Sequence, residues 1–254
     1  RTNNIILFEL LVKCTRFNPN IWGDGSKPSV LHFLCRYEDS KFVKILLDHP
    51  QTDPNLRDEN GLTPFLTACR YESPIAEILM KHPSVDVSLG DNNGKNAFWF
   101  LGSHSDLFSV VLQDTRIDPN RPTNDNKYFL LSKITDLTME EMLKNERVDP
   151  NVNEMQKTIF THIVENGPKS IPTLLEHPKL EPLSKEDAIN LAKVYRYVDF
   201  PYRLMRKVPI VPVIFKICCA SGFGPAEILP GKYSTIISKV NDKIIMFRQK
   251  GVQQ

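Results

Sequence analysis

The sequence has no long hydrophobic run and few cysteines. No stretch of eighteen apolar residues occurs, and the apolar segment 210–217 is short and interrupted by Pro212, so a membrane-spanning helix is not predicted. Five cysteines in 254 residues, an odd number, do not form the pattern of a disulfide framework. We therefore expect a reducing, intracellular and cytoplasmic setting. Because the sequence begins at Arg1 rather than Met, any targeting or lipidation signal ahead of it lies outside this chain.

Sequence signatures of catalysis and metal binding are also missing. There is no phosphate-binding loop, no Gly-x-Gly-x-x-Gly opening a helix, no His-Glu-x-x-His and no Gly-x-Ser-x-Gly. The pair Cys218-Cys219 has no Cys-x-x-Cys partner for zinc. We therefore expect no catalytic residues, no cofactor and no metal site, and we do not expect an enzyme.

A phrase of about ten residues recurs along the chain. It joins the end of one helix, often at a His-Pro pair, to Asp-Pro-Asn or a variant of it. The acidic residue of this phrase stands at positions 53, 86, 118, 149 and 181, in steps of 33, 32, 31 and 32 residues, and Asn18-Pro19-Asn20 supplies an earlier copy. This period indicates a stack of repeated units that cover one another's hydrophobic faces.

The clearest period predicts two helices and a turn. Asn60-Gly61 predicts a tight turn, because glycine tolerates the positive φ that such turns need. Thr63 can then cap a helix whose first residue is Pro64. A second helix begins near the next Ser-Pro pair and ends at the His-Pro pair, since proline cannot continue a helix.

Residues 58–69, DENGLTPFLTAC, resemble the signature of the ankyrin repeat: an Asp, a Gly, then Thr-Pro-Leu-His and small residues. The motif restarts at residues 91–94, 33 positions after Asp58, and residues 29–32 look like the same helix start in the preceding repeat. The resemblance implies an all-α ankyrin-repeat solenoid of stacked helix-turn-helix units with short extended hairpin loops. Tetratricopeptide repeats have a similar period, but they lack the Asp-Pro-Asn and Asn-Gly segments.

The resemblance divides the chain in two. We expect ankyrin repeats over residues 1–183, with an N-terminal cap or partial repeat and then about five units. Residues 184–254 are expected to form degenerate ankyrin-like helices and a basic C-terminal cap. The later copies lose Thr-Pro and the glycine, but they are predicted to keep an apolar first helix at residues 127–130 and 157–160.

Repeated cysteines and histidines receive structural explanations. Cys35 and Cys69 stand at equivalent places in successive repeats and should pack as free thiols, since stacked helices lie about 8–10 Å apart and a disulfide needs a closer approach. His32 matches the helix-start histidine of the family, which hydrogen-bonds locally. Three other histidines recur at the repeat period and are therefore spaced along the stack rather than gathered around a metal: His49, His82 and His177.

The resemblance also implies where a partner binds, because such solenoids use the concave side formed by the turn tips and first helices. The phrase Cys-Arg-Tyr-Glu occurs twice, 34 residues apart, and Arg and Tyr are frequent in interface hot spots. The same residues could instead solvate the surface and stack on one another, so both interpretations stay open. Further tip positions are Asp24, Gly25, Ser26 and Leu62. The predicted partner-binding set is Arg36, Tyr37, Arg57, Glu59, Asn60, Arg70, Tyr71, Asn92, Asn93, Lys95 and His104.

Charge is unevenly distributed. Residues 193–254 carry eleven Lys or Arg and three acidic residues, whereas the whole chain has a net charge of +2.

The resemblance implies a non-enzymatic scaffold or adaptor that binds another protein of unspecified identity. The basic end suggests an alternative, a module that docks on a polyanionic surface: an acidic or cytoskeletal filament, an anionic membrane or nucleic acid. Nucleic acid is disfavoured because the basic residues are dispersed and no recognition motif accompanies them. A regulatory fragment of a larger enzyme or channel is a third hypothesis.

Overall fold

The chain forms two compact units, residues 1–132 and residues 133–254. The computed structural model describes residues 2–14, 16–21, 28–37, 40–101, 106–132, 135–154, 157–159, 162–163 and 170–181. The helices predicted beyond residue 183 lie outside these ranges, and the boundary predicted there stays a prediction. Within the described ranges no helix is long and apolar enough to cross a bilayer.

Unit 1 consists of helices in two layers, as expected of an all-α ankyrin-repeat solenoid. The first helices α2 and α4 pack side by side, and the second helices α1, α3 and α5 do the same. Contacts of α2 with α3 and of α4 with α5 close each repeat. The helices are α1 (Thr2–Val12), α2 (Val30–Tyr37), α3 (Ser40–Leu47), α4 (Pro64–Arg70), α5 (Ile75–Lys81) and α6 (Asp106–Gln113).

The start of α4 confirms the predicted cap. Thr63 has extended backbone angles, its side-chain oxygen accepts a hydrogen bond from Leu66 N at 3.2 Å, and Pro64 occupies the first helical position. Every residue from Pro64 to Cys69 is buried, because both sides of α4 are covered by neighbouring repeats. Helix α5 ends at Lys81, and His82 turns to extended backbone before the proline.

The next two repeats have short first helices. Single 3₁₀ turns at Ala97–Trp99 and Phe129–Leu131 form them. The residues before these turns, Asn96 and Tyr128, make no side-chain capping hydrogen bond and are not followed by proline. The helix predicted over residues 127–130 therefore begins two residues late.

Unit 2 contains two described helices and one short two-stranded sheet. Its described elements are α7 (Asp136–Leu143), the antiparallel pair β1 (Asn153–Glu154) and β2 (Lys157–Thr158), and α8 (Ile171–Leu175), which packs against α7. The helix predicted over residues 157–160 is wrong at its first two positions, because the tip closes there as a two-stranded hairpin.

Cysteine and phenylalanine side chains lie in the core of unit 1. Phe98, Phe108 and Phe129 form a buried cluster with ring centroids 5.6 to 6.0 Å apart. Cys35 and Cys69 are buried free thiols, as predicted, and burial raises the pKa of both. These two cysteines therefore serve as small apolar packing residues.

The asparagine of the Asp-Pro-Asn phrase joins consecutive repeats. Its side-chain nitrogen donates to a backbone carbonyl of the next repeat, and its side-chain oxygen accepts from the backbone N–H two residues further on. Both bonds, 2.7 to 2.9 Å long, link Asn20 to Gln51 and Asp53, Asn55 to Ser84 and Asp86, and Asn151 to Lys179 and Glu181. The recurring phrase is thus the connector of the stack as well as its marker.

Candidate functional site

Two turn tips of unit 1 are held rigid by their own aspartates. One carboxylate oxygen of Asp58 accepts from the backbone N–H groups of Asn60 and Leu62, at 2.9 and 2.8 Å. Asp91 does the same for the corresponding residues of the next tip, at the same two distances. The tip residues are therefore ordered before any partner arrives, which lowers the entropic cost of binding.

Neighbouring tips are also bonded to each other. Asn92 donates from its backbone N–H to Asn60 O at 3.1 Å and from its side chain to Glu59 O at 2.9 Å. Gly61 has a φ of 79°, and a Cβ there would collide with the side chain of Asn92. Glycine is therefore required at this turn both for its conformation and for the close approach of the next tip.

The third tip shows why its missing glycine does not break the pattern. Asn126 stands where the earlier tips have glycine, and it adopts the left-handed conformation with a φ of 57°, which Asn tolerates better than most residues. Thr123 replaces the aspartate, and its hydroxyl accepts from Lys127 N at 3.0 Å. Hydrogen bonds from Lys127 and Thr123 lower the pKa of the Asp125 carboxyl to about 2.

The ends of the first helices supply an aromatic and cationic surface. The Arg36 guanidinium lies over the Tyr71 ring at 5.1 Å from its centroid, a cation–π contact between successive repeats. Tyr71 is 42% exposed, and Arg70 is exposed beside it. The repeated Arg-Tyr phrase therefore brings at least Arg36, Arg70 and Tyr71 to one surface.

These tips and helix ends enclose two adjoining cavities, which we call the tip groove. The larger has a volume of about 600 Å³ and the smaller about 230 Å³, and Asn60, Leu62 and Arg70 line both. Six predicted residues line the larger cavity: Glu59, Asn60, Arg70, Asn92, Asn93 and Lys95. The smaller cavity adds Arg36 and Tyr71.

Three predicted residues are not placed in the tip groove. Arg57 is half-buried and lines neither cavity. The side chain of Tyr37 and the whole of His104 lie outside the described residues, as do the tip positions 24–26. Their assignment stays a prediction.

Trp99 lines the larger cavity but is not among the residues predicted from the sequence. Lys95 Nζ lies 5.6 Å from the centroid of its ring. Trp99 stands at the place of the histidine in the Thr-Pro-Leu-His signature, where His32 and Leu66 stand in the two preceding repeats. This alignment was the signal that the sequence offered for Trp99. The structure adds that Trp99 ends a short 3₁₀ turn and that its side chain lines the larger cavity.

His32 lies in the wall of the smaller cavity and ties two repeats together. Its Nδ1 accepts from Ser29 N at 3.2 Å and lies 2.8 Å from the Ser29 hydroxyl, while Nε2 donates to Leu62 O at 2.9 Å. Burial lowers the pKa of His32 below its usual 6.5, against smaller opposing effects of the Leu62 carbonyl and Asp58. A neutral ring with its proton on Nε2 fits these bonds, so His32 makes the predicted local hydrogen bonds to Ser29 and also links its repeat to the next through Leu62 O.

The described part of the chain holds no group of three or more His, Cys, Asp or Glu that could bind a metal ion. The equivalent histidines His49, His82 and His177 instead each accept a backbone N–H two residues on, at 3.3 to 3.4 Å. They close the turns after the second helices.

Comparison with known proteins gives one result for the family. The family model of ankyrin repeats in three copies matches residues 3–91 and again residues 31–123. A comparison with curated proteins finds no match. The matched residues include α2 to α6, all but the first residue of α1, and both cavities of the tip groove.

Proposed function

From the premise that residues 3–123 belong to the ankyrin repeat family, we propose that the chain is a non-enzymatic scaffold or adaptor that holds a partner protein in the tip groove. Members of this family are generally protein–protein interaction modules and are typically not enzymes. We place this activity in the cytoplasm, where free thiols such as Cys35 and Cys69 persist. One observation carries the proposal: tips and first helices of successive repeats bring eight of the predicted residues into one groove.

The chemistry of the groove suits a protein partner. Arg70 and Tyr71 are exposed, and the stacked Arg36 adds polar atoms to an aromatic surface. Such side chains supply large contact area together with hydrogen-bonding groups, which is why they are frequent in hot spots. The bonded tips around them lose little conformational freedom when a partner binds.

Affinity capture with the intact chain tests this proposal. We expect Arg70→Ala and Tyr71→Ala each to reduce capture of the partner about tenfold or more, as a hot-spot loss of roughly 1.4 kcal/mol would. Both side chains are exposed, so the thermal midpoint should stay nearly unchanged. Lys81→Ala is the matched control, since Lys81 is exposed on α5 and lines neither cavity.

The quantity to measure is the amount of each captured protein, by mass spectrometry, for the wild type and the three variants. A set of captured proteins that is the same for all four chains would remove the tip groove from consideration. It would leave the interaction, if any, to another surface of the chain.

The basic end supports a second candidate function, docking on a polyanionic surface. It rests on the eleven Lys or Arg against three acids in residues 193–254. Electrostatic docking of this kind is strongly salt-dependent, which separates it from a partner held by hot spots in the groove.

A further inference from the structure

We infer that the smaller cavity of the tip groove receives an acidic side chain, an Asp or Glu on an extended segment of the partner protein, with its carboxylate held by Arg70. This inference rests on the proposed function and names the chemistry of the partner at that site. The occupant follows from the charge, the size and the walls of the cavity.

The smaller cavity has a net positive charge, because two arginines and one acidic residue line it. Arg36 and Arg70 line the smaller cavity, and Asp58 is the acidic residue in its wall. One oxygen of Asp58 is held by two backbone N–H groups of its own tip. Among the described residues, no hydrogen bond or ion pair reaches the Arg70 guanidinium, and this side chain is exposed. A partner carboxylate would give Arg70 the two parallel N–H···O bonds that a guanidinium is shaped to make.

The size favours one side chain rather than a whole folded surface. A volume of about 230 Å³ accommodates an Asp or Glu side chain with part of its backbone. Phe33, Tyr71 and Pro28 line the same cavity and offer apolar contacts to the methylene groups of such a side chain.

Arg36 places a second positive charge in the wall of this cavity. Its guanidinium already lies over the Tyr71 ring, so the planar group is oriented before the partner binds. The larger cavity differs in charge, because Glu59 and Asp91 balance its two basic residues, Arg70 and Lys95. The acidic side chain is therefore directed to the smaller cavity, and the rest of the partner segment follows the larger one.

Selection of peptides on the purified full chain tests the inference. The probe is a displayed library of random dodecapeptides, selected on the wild type, on Arg70→Glu, on Arg70→Gln and on Lys81→Glu. We expect Asp and Glu to be enriched on the wild type and on Lys81→Glu, which carries the same charge change as Arg70→Glu. We expect this enrichment to be lost on both Arg70 variants.

A second measurement uses the tightest wild-type peptide. Replacing its acidic residue by the corresponding amide should weaken binding to the wild type about tenfold or more. Replacing it by lysine should restore part of the binding to Arg70→Glu, because the charges are exchanged. Equal thermal midpoints establish that the variants are folded.

Three outcomes count against the inference. Equal enrichment of acidic peptides on wild type and Arg70→Glu would show that Arg70 does not bind their carboxylates and would overturn the inference. Enriched peptides without acidic bias that still depend on Arg70 would overturn it while leaving the proposed function intact. The absence of any enriched peptide would count against the proposed function, and the inference would fall with it.

Discussion

Four described residues hold a positive φ, and they mark the places where single residues shape this fold. Gly61 and Gly94 sit in tips, Asn126 replaces glycine in a third tip, and Glu72 follows α4 with a φ of 51°. At the end of α4, Ser73 N donates to Ala68 O at 2.9 Å and Glu72 N to Cys69 O at 3.0 Å. These two bonds define a Schellman motif, in which glycine is the usual left-handed residue.

Glu72→Gly should therefore stabilise unit 1. A left-handed non-glycine residue costs about 1–2 kcal/mol of folding free energy, which glycine avoids. The greater freedom of glycine in the unfolded chain offsets about 0.4–1 kcal/mol of this stabilisation. We expect a net increase of about 0.5–1 kcal/mol in the free energy of unfolding, measured with urea. Asn126→Gly is the control and should give a smaller gain, because Asn tolerates this conformation. A destabilised Glu72→Gly would show that the glutamate side chain contributes more than its backbone costs.

His32 predicts how stability depends on pH. Its pKa is lowered in the folded chain, so below about pH 6.5 the unfolded chain binds a proton there more readily than the folded chain. Stability is complete above this pH and falls as pH decreases towards the folded-state pKa, by at most about 1.4 kcal/mol per pH unit. We expect His32→Gln to flatten this slope between pH 6.5 and 5 in urea unfolding, and His82→Gln to leave the His32 contribution in place. An unchanged slope in His32→Gln would assign the pH dependence to other groups.

At the scale of helices and turns, the period and the caps were predictable and the lengths of the later first helices were not. Thr63-Pro64 and Asn60-Gly61 act locally, so their outcome follows from the chemistry of a few neighbouring residues. The later first helices lack the Thr-Pro cap, and packing decides instead, so that Phe129–Leu131 forms one 3₁₀ turn with Phe129 in an aromatic cluster. In the same way, the Arg-Tyr phrase indicated the groove, but the place of Trp99 depended on a turn that the sequence does not signal.

The second helices give a matched pair for testing how the stack stabilises its elements. Leu46 of α3 and Leu11 of α1 stand at equivalent positions near the ends of their helices. The backbone carbonyl of each accepts a hydrogen bond from the N–H three residues further on, that of His49 for Leu46 and that of Cys14 for Leu11. Leu46 is fully buried, whereas Leu11 is 50% exposed. The same residue type at the same structural position therefore differs in what covers it.

Leu46→Ala should cost about 2–5 kcal/mol of unfolding free energy, since it removes buried methyl groups and leaves a cavity between repeats. Leu11→Ala should cost less than about 1 kcal/mol, because half of that side chain already contacts water. Urea unfolding followed by circular dichroism measures both. Similar losses in the two variants would mean that α1 is covered in solution by something besides α3.

At the scale of the whole molecule, the tip groove is a feature of the structure, whereas the basic end is a feature of the sequence. The groove is built from elements about 30 residues apart, so it exists only because repeats stack. The basic end, in contrast, is a property of composition, and its helices and the boundary at residue 183 remain predictions. The two candidate functions thus depend on separate parts of the chain and can be tested independently.

Docking on a polyanion predicts binding to heparin that weakens steeply as salt rises, because each neutralised charge releases counterions. One variant reverses three charges in the basic end: Lys239→Glu, Lys243→Glu and Arg248→Glu. The control reverses three exposed lysines on α3 and α5 and has the same net charge: Lys41→Glu, Lys44→Glu and Lys81→Glu. We expect the first variant to lose about tenfold or more in heparin affinity at about 0.15 M salt and the control to lose distinctly less, with fluorescence anisotropy as the measurement. Equal losses would show that the effect depends on overall charge and not on the basic end. A wild-type chain that does not bind heparin at this salt would eliminate the polyanion candidate and leave the tip groove as the proposed binding surface.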